Sequence, residues 1–267
     1  MAAERRVAIC TGATGAIGRH IAEGLVRAGF TTVLTCRDEA RGRALVESVA
    51  KAAGDGDVRL EVVDLASIAS IKAFTARVAS VYPAVSVLVN NAAVVPRSRE
   101  TTVDGIEKQF GVNVLAYYLL MTGLEGPLRA GAPSRIVNVA SNYAGGLDLN
   151  DVQFTRRSYD ENAAYQASKQ ADRMLTVAAA EVFKGSGVTV NACHPGVVTS
   201  PLLKNLGMRS GFETADKGAA TPLFLATDPS VTASGKYFQD SRPKHCKFGA
   251  DKAKCDQLWE LCAGLAE

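Results

Sequence analysis

The chain has 267 residues, 47% of them hydrophobic and 21% charged, which is enough apolar material to fill one large core. This composition excludes disorder as the main state, and a formal net charge of +3, spread along the chain, predicts no nucleic-acid partner. No stretch has the apolar length of a signal-peptide core or of a transmembrane helix, so we expect a cytoplasmic protein with no transmembrane segment.

The spacing of cysteines and histidines bears on disulfides and metal sites. The six cysteines include no Cys-x-x-Cys pair, and three lie inside apolar runs, so reduced, buried thiols are expected. Histidines stand at positions 20, 194 and 245, without the clustering that a zinc site needs, so no metal site is predicted.

Short apolar runs alternate with stretches of helical period along the chain. The predicted strands are residues 7–10, 31–36, 60–63, 85–89, 135–139, 188–193 and 235–238. The predicted helices are residues 16–28, 39–53, 67–80, 104–128, 163–184 and 216–226. Because this alternation requires parallel pairing with right-handed crossovers, we expect a single α/β domain over residues 1–267. Its predicted architecture is a Rossmann-type, doubly wound, mostly parallel seven-stranded sheet with helices on both faces.

A glycine-rich segment, residues 11–18, joins the first predicted strand to the first predicted helix. Glycines let the backbone turn tightly and approach a pyrophosphate, and the N-terminus of the following helix favours its negative charge. The alternative is an ordinary glycine turn at a close helix–strand contact, but the position between strand and helix favours dinucleotide binding. The predicted cofactor contacts in this segment are Gly12, Thr14, Gly15, Ala16, Ile17 and Gly18.

The second predicted strand ends at Arg37 and Asp38, where a dinucleotide fold meets the adenosine ribose. An acid there accepts hydrogen bonds from the 2′-hydroxyl of NAD, whereas an arginine pairs with the 2′-phosphate of NADP. Arg37 comes first after the strand, and Arg41 follows one helical turn later. We therefore expect NADP(H) as the preferred cofactor, with NAD(H) as the alternative through Asp38 and a solvent-exposed charge as the structural explanation of Arg37.

Tyr165 and Lys169 stand at the start of a predicted helix, and their four-residue spacing places the phenol and the ammonium on one face. A free tyrosine, with a pKa of about 10, transfers protons poorly at neutral pH, whereas a nearby positive charge stabilises the phenolate and lowers that pKa. Such a pair also occurs by chance on exposed helices. Ser141, at the end of the fifth predicted strand, adds a polar group at the same sheet edge and favours a catalytic interpretation.

Further motifs follow the remaining strands. They are Asp64-Leu65 after the third strand, Asn90-Asn91-Ala92-Ala93 after the fourth, Asn113, and His194-Pro195-Gly196 after the sixth. Together with the glycine segment, Ser141, Tyr165 and Lys169, they stand in the order and spacing of one family. The chain resembles the short-chain dehydrogenase/reductase family, and its retinol-dehydrogenase-like branch, from residue 7 to about residue 238.

The resemblance implies an oxidoreductase that moves hydride between nicotinamide and a carbonyl or alcohol. It implies that Tyr165 is the general acid/base, that Ser141 binds the substrate oxygen, and that Lys169 binds the nicotinamide ribose and lowers the tyrosine pKa. Asn113 would hold a water of the proton relay. The implied cofactor contacts also include Asp64, Leu65, Asn91, Ala92, Ala93, Pro195, Gly196 and Val198, with Ser200 in the place of a threonine that contacts the carboxamide. Taken singly, these residues also fit capping and turn roles.

The substrate and the assembly are predicted more coarsely. The branch often carries an N-terminal membrane helix and a longer lid, whereas Arg5 and Arg6 directly precede the first strand and segment 200–216 is short, which disfavours a retinoid. Segments 142–162 and 200–216 are the expected substrate loops, and the first has apolar residues enough to line a pocket: Leu147, Leu149, Phe154 and Tyr159. We expect a medium-sized apolar carbonyl or alcohol substrate, and a homodimer or homotetramer through helices 104–128 and 163–184. The alternative function is an NADP(H)-sensing binding protein without turnover.

Overall fold

The computed structural model describes residues 6–54 and 56–267, so Arg5 lies outside the described residues. The strands are β1 Val7–Cys10, β2 Thr31–Cys36, β3 Val58–Val62, β4 Val87–Asn90, β5 Ser134–Val139, β6 Val188–His194, β7 Lys236–Gln239 and β8 Arg242–Lys244. They form one sheet in the order β3-β2-β1-β4-β5-β6-β7-β8. Every neighbouring pair is parallel except β7 with β8. This order reverses direction at β1, which places a binding crevice beyond the carboxyl ends of β1 and β4.

Helices cover both faces of the sheet. They are α1 Ala16–Arg27, α2 Glu39–Ala52, α3 Ile68–Val81, α4 Lys108–Phe110, α5 Ala116–Gly123, α6 Glu125–Ala130, α7 Glu161–Val182, α8 Pro201–Asn205, α9 Ala215–Thr227 and α10 Lys252–Leu265. One apolar cluster joins α3, α5, α7 and α10 to one face, and a second joins α1, α2 and α9 to the other. Because successive strand residues point to opposite faces, Ile9 enters the first cluster while Ala8 and Cys10 enter the second. The predicted doubly wound α/β fold is confirmed.

The sheet has one strand more than the seven predicted. The additional strand, β8, consists of Arg242, Pro243 and Lys244, which are all exposed and pair antiparallel with β7 at the edge of the sheet. It lacks the apolar run by which the other strands could be recognised. Basic side chains and proline on an edge strand discourage pairing with another sheet, which accounts for this composition.

The helix predicted over residues 104–128 is divided in the structure. The Glu107 carboxylate accepts the backbone N–H of Phe110 at 2.7 Å and caps the short helix α4. A π-helical segment follows, and its Asn113 side chain accepts a hydrogen bond from the backbone N–H of Val94 at 2.8 Å. Hydrophobic periodicity does not reveal such π-helical turns, which recur at functional sites.

The C-terminal helix α10 has no counterpart among the predicted elements. Its Cys255, Leu258 and Cys262 are buried, and α10 packs along α7. Trp259 meets Tyr118 of α5 edge to face, with ring centroids 4.7 Å apart. Helix α10 therefore covers part of the α5 and α7 surface at which a homodimer or homotetramer was expected, and that assembly stays a prediction.

The longest described helix, α7, has 22 residues. It contains the buried charged residues Lys169, Asp172 and Arg173. Within residues 6–54 and 56–267, no helix combines the length and the apolar character that crossing a membrane requires. The cytoplasmic location stays a prediction.

Candidate active site

The glycine turn between β1 and α1 is shaped by close backbone contacts. Gly12 has φ +67°, and a Cβ there would lie 2.7 Å from the Cα of Ala92. A Cβ on Gly18 would lie 2.3 Å from the carbonyl oxygen of Gly12. Thr14, Gly15 and Ala16 are exposed at the N-terminus of α1. The turn therefore leaves the first N–H groups of α1 accessible, as a bound pyrophosphate requires.

Thr11 connects this turn to the end of β4. Its hydroxyl oxygen accepts the backbone N–H groups of Asn91 at 2.9 Å and Ala92 at 3.1 Å. The Asn91 side-chain amide donates in return to the carbonyl oxygen of Thr11 at 2.9 Å. Thr11 was part of the predicted motif but not of the predicted contacts, because its role depends on a neighbour 80 positions away in sequence.

Two arginines and one aspartate stand just after the end of β2. Arg37 and Arg41 are exposed, and their guanidinium groups make no hydrogen bond or ion pair within the described part of the chain. The Asp38 carboxylate instead accepts the backbone N–H of Arg41 at 2.9 Å and caps α2. The two guanidinium groups fit a 2′-phosphate, whereas the Asp38 carboxylate, which caps α2 through one oxygen, still has a second oxygen that could accept from a 2′-hydroxyl.

Asp64 and Leu65 follow β3 on the same sheet edge. The Asp64 carboxylate accepts the backbone N–H of Ala66 at 2.9 Å through Oδ1. Leu65 is partly buried against the apolar cluster that contains α3 and α5. Asp64 thus has the local structural role that was weighed for it, and the contact of both residues with adenine stays a prediction.

A cleft of about 430 Å³ opens beyond the ends of β4, β5 and β6. Its walls include Ser141, Tyr165 and Lys169, so three of the four predicted catalytic residues meet at one place. The predicted cofactor residues that line it are Ile17, Asn91, Ala93, Pro195, Gly196, Val198 and Ser200. The predicted residues that lie outside its walls are Gly12, Thr14, Gly15, Ala16, Gly18, Arg37, Arg41, Asp64, Leu65, Ala92 and Asn113.

Tyr165, Ser141 and Lys169 form the polar end of the cleft. Tyr165 and Ser141 both line this end, and the Ser141 hydroxyl oxygen accepts the backbone N–H of Tyr143 at 3.0 Å. Lys169 Nζ lies 5.9 Å from the centroid of the Tyr165 ring and donates to the carbonyl oxygen of Val139 at 3.0 Å. The four-residue spacing thus places phenol and ammonium on one wall, as the sequence predicted.

Burial determines the pKa of Tyr165 in this structure. Removal of the phenol from water raises its pKa above the ordinary value, against the opposing effects of the Lys169 charge and the Ser141 hydrogen bond. The carboxylate of Asp172 also raises the Tyr165 pKa. The expected lowering by Lys169 is therefore present but outweighed, because sequence spacing does not show how deeply the phenol is buried.

Asn113 lies behind the cleft rather than in its wall. Its side-chain amide donates to the carbonyl oxygen of Val94 at 3.1 Å and to the Ser168 hydroxyl at 3.2 Å. Both N–H donors of this amide are therefore used inside the protein. A water held by Asn113 would have to bind its oxygen or its backbone, and this role stays a prediction.

Ser200 has a second role at the mouth of the cleft. Its hydroxyl oxygen accepts the backbone N–H of Leu203 at 3.1 Å and caps α8, while Thr199 accepts the N–H of Gly211 at 2.8 Å. Within the described part of the chain the Ser200 O–H donates to no acceptor, so contact with a carboxamide is compatible with the cap.

The apolar wall of the cleft comes from the second substrate loop. Leu202, Leu203, Leu206 and Met208 line it, whereas the first loop supplies Asn142, Tyr143 and Asn162. The apolar residues singled out in the first loop pack elsewhere: Leu147 and Leu149 against the cluster containing α7, and Phe154 against Tyr159. Apolar composition alone did not distinguish residues that line the cleft from residues that pack in the apolar clusters.

Comparison with known proteins bears on the family. The sequence model of the short chain dehydrogenase family matches residues 6–210. The chain belongs to this family. Retinol dehydrogenase 13 of Mus musculus is 37% identical to it, over 97% of this chain and 83% of that protein.

Solved structures agree on the fold. An uncharacterized protein from Mycobacterium Paratuberculosis is similar with a TM-score of 0.81 and 27% identity, covering 99% of this chain and 94% of that one. A metagenomic short-chain oxidoreductase in complex with NADP has a TM-score of 0.63 and 28% identity, covering 83% of this chain and 90% of that one. The resemblance to the retinol-dehydrogenase-like branch is confirmed, and the chain is an oxidoreductase of a family that uses NAD(P) and small-molecule substrates.

Proposed function

We propose that the protein is an NADP(H)-dependent carbonyl reductase or alcohol dehydrogenase that acts on a medium-sized apolar aldehyde, ketone or alcohol. The observation that carries this proposal is the convergence of Tyr165, Ser141 and the buried Lys169 at the end of one cleft with an apolar wall. A binding protein without turnover needs no such arrangement.

The end of β2 supports NADP(H) as the cofactor. Among the described residues, the guanidinium groups of Arg37 and Arg41 have no protein partner, and Asp38 caps α2. Arginine binds phosphate through paired, charge-assisted hydrogen bonds, which suits a 2′-phosphate. The glycine turn, Gly12 to Gly18, would hold the pyrophosphate at the N-terminus of α1.

The bound cofactor supplies the hydride, and the residues of this chain orient the substrate and manage its proton. Ser141 and Tyr165 both line the cleft, so a carbonyl oxygen bound between their hydroxyls would receive two hydrogen bonds. In reduction Tyr165 donates its proton to that oxygen, and in oxidation it accepts the proton back. Lys169 stabilises the phenolate formed in between and binds the nicotinamide ribose.

The apolar wall supports the substrate class. Leu202, Leu203, Leu206 and Met208 present side chains that favour a hydrocarbon over a polyol. The relative named above acts, by its name, on retinol, which is an apolar alcohol. We propose an alcohol or carbonyl of this general polarity without specifying a retinoid.

The substitution Tyr165→Phe tests the function. We expect kcat for reduction to fall by about 1000-fold because the general acid is lost, while NADPH affinity changes little. Turnover is followed by NADPH absorbance across a panel of aliphatic and aromatic aldehydes and ketones, and affinity by NADPH fluorescence.

Tyr143→Phe is the matched control for this test. Tyr143 also lines the cleft, with its ring centroid 6.4 Å from that of Tyr165, and it is 44% exposed. We expect this variant to retain most of its turnover. Full activity in Tyr165→Phe, or absence of turnover in the unmodified protein across the panel, would contradict the proposal.

A further inference from the structure

A buried ion pair lies directly behind the polar end of the cleft. Lys169 Nζ donates to the Asp172 carboxylate at 2.8 Å, and the two side chains are 2% and 0% exposed. The proposed function uses Lys169 but assigns nothing to Asp172. A carboxylate in this position is costly to bury, so its presence requires an explanation.

Asp172 is incompletely bonded. Its Oδ2 accepts from Lys169, whereas its Oδ1 is buried and has no hydrogen-bond partner among the described residues. Burial raises the pKa of Asp172 to about 6, although the neighbouring Lys169 and Arg173 charges lower it. Burial therefore favours the neutral carboxyl group, whereas the two neighbouring cations favour its charged form.

The groups that face Asp172 come from several elements. On α7 they are Lys169, Arg173 and Tyr165, on α5 Tyr117, and on α10 Cys262. Burial raises the pKa of both the Tyr117 phenol and the Cys262 thiol, so they are neutral. Cys193 on β6 faces Lys169 and is neutral for the same reason. Asp172 is thus the one anion in this set, opposite two cations.

The Arg173 side chain contacts Ser141 and Tyr237. Its guanidinium donates to the carbonyl oxygen of Ser141 and stacks 3.6 Å from the centroid of the Tyr237 ring. Asp172 and Arg173, which are consecutive in α7, therefore contact two different residues at the polar end of the cleft. Asp172 holds Lys169, and Arg173 holds the backbone of Ser141.

The charge on Asp172 acts on Tyr165 through Lys169. An ammonium near a phenol favours the phenolate, but a carboxylate 2.8 Å from that ammonium cancels much of its field. The cancellation is strong here because the groups are buried and water does not screen them. Loss of the Asp172 charge therefore leaves the Lys169 charge less opposed at Tyr165.

We propose that Asp172 is a positioning residue that holds Lys169 and sets the pH at which Tyr165 exchanges its proton. This proposal rests on the proposed role of Tyr165 as general acid/base. While Asp172 is charged, the Lys169–Asp172 pair has little net charge, and Tyr165 stays protonated for carbonyl reduction. When Asp172 takes up a proton, the Lys169 charge is less opposed and favours the phenolate.

The substitution Asp172→Asn tests this role. Asparagine keeps the shape and an oxygen that can accept from Lys169, but it removes the charge. In the pH profile of kcat/KM for alcohol oxidation, the limb on which activity rises with Tyr165 ionisation should move to lower pH by about one unit. A merely structural role would lower activity at every pH without moving this limb.

A spectroscopic measurement avoids dependence on turnover. Tyrosinate absorbance is titrated in Asp172→Asn and in Asp172→Asn combined with Tyr165→Phe, and the difference isolates Tyr165. The same difference is measured with Asp172 intact. We expect the Tyr165 transition at lower pH when residue 172 is asparagine, by the same shift as the kinetic limb.

Glu107→Gln is the matched control. Glu107 is also buried, its pKa is also raised by burial, and it is not among the groups that act on Tyr165. Its substitution should leave the kinetic limb and the Tyr165 absorbance transition in place. A shift of equal size in this variant would mean that loss of any buried carboxylate suffices, and it would overturn the proposal.

The remaining outcomes separate the two proposals. If Tyr165→Phe is inactive but neither readout moves in a folded Asp172→Asn protein, the role of Asp172 is wrong and the proposed function stands. If Tyr165→Phe is fully active, the proposed function is wrong, whatever Asp172 does. If Asp172→Asn does not fold, Asp172→Ser removes the same charge with a smaller polar side chain, and both readouts apply to it unchanged.

Discussion

Two halves of the binding crevice, at the carboxyl ends of the strands, are stabilised by different interactions. The dinucleotide half, around the glycine turn and the end of β2, is held by backbone contacts, and its cations Arg37 and Arg41 are exposed. In the other half, which we propose is catalytic and call the catalytic half, the charged groups Lys169, Asp172 and Arg173 are buried. Shape therefore defines the first half, whereas the balance of unscreened charges defines the second.

This difference predicts different responses to substitution. In the dinucleotide half, adding a single carbon to a glycine should be severe, while removing an exposed charge should be mild. In the catalytic half, changes of charge should act strongly and should depend on pH.

The largest effect is expected from Gly18→Ala. The new Cβ would lie 2.3 Å from the carbonyl oxygen of Gly12, so the glycine turn must move. We expect NADPH binding to weaken by about 100-fold, equivalent to about 3 kcal/mol. The free energy of unfolding should also fall, by about 2 kcal/mol, as in other overpacked sites. NADPH fluorescence titration and urea denaturation measure the two effects.

Gly126→Ala is the control, because a Cβ at this position in α6 meets nothing within 4 Å. It should leave NADPH binding unchanged and should not destabilise the protein, since alanine favours helix. Wild-type NADPH affinity in Gly18→Ala would contradict the view that close backbone contact shapes the dinucleotide half.

The catalytic half should respond to acid through His194. This residue ends β6, is 5% exposed, and its Nδ1 accepts the backbone N–H of Asn142 at 3.3 Å. Burial lowers its pKa from 6.5 to about 4, so the unfolded chain binds a proton in this interval while the folded chain does not. Stability from this group is therefore lost as the pH falls from 6.5 to 4, by about 3 kcal/mol.

The measurement compares the pH dependence of the free energy of unfolding in wild type and His194→Gln. The variant should lack this contribution to the slope below pH 6.5, because glutamine does not titrate. His245→Gln, at an exposed position, should retain it. Identical slopes in wild type and His194→Gln would show that His194 does not supply the acid sensitivity.

The two halves also differ in how well they could be predicted from the sequence. The glycine turn and the parallel strands could be predicted because glycine spacing and continuous apolar runs each have one common structural cause. Strand β8 and helix α10 could not. Three exposed residues form β8, and α10 follows a segment rich in Lys and Arg rather than in apolar residues.

In the catalytic half, the sequence predicted which types of residue are present but not how their charges oppose one another. The Tyr165 and Lys169 spacing indicated one shared face, and the structure places them there. Asp172, three positions after Lys169, was not singled out, because such pairs are common on exposed helices and contribute little there. Only burial makes it important, and burial depends on α5 and α10, which are distant in sequence.

The smallest effect is expected from Arg37→Ala. Arg37 is exposed and has no protein partner in the described part of the chain, so its removal should not affect folding. If it pairs with the 2′-phosphate, kcat/KM for NADPH should fall by about tenfold, equivalent to about 1.4 kcal/mol. The value for NADH should change little, because that cofactor lacks the phosphate. Steady-state kinetics with each cofactor measure both.

Arg43→Ala separates this pairing from a general loss of positive charge. Arg43 is an exposed residue of α2, the helix that begins two positions after Arg37, but it already pairs with Glu39 at 2.5 Å. Removing it should leave the preference between NADPH and NADH unchanged. Equal losses for both cofactors in Arg37→Ala would contradict phosphate pairing. A wild-type preference for NADH would instead favour ribose binding by the Asp38 carboxylate, which would make the dinucleotide half as dependent on charge as the catalytic half.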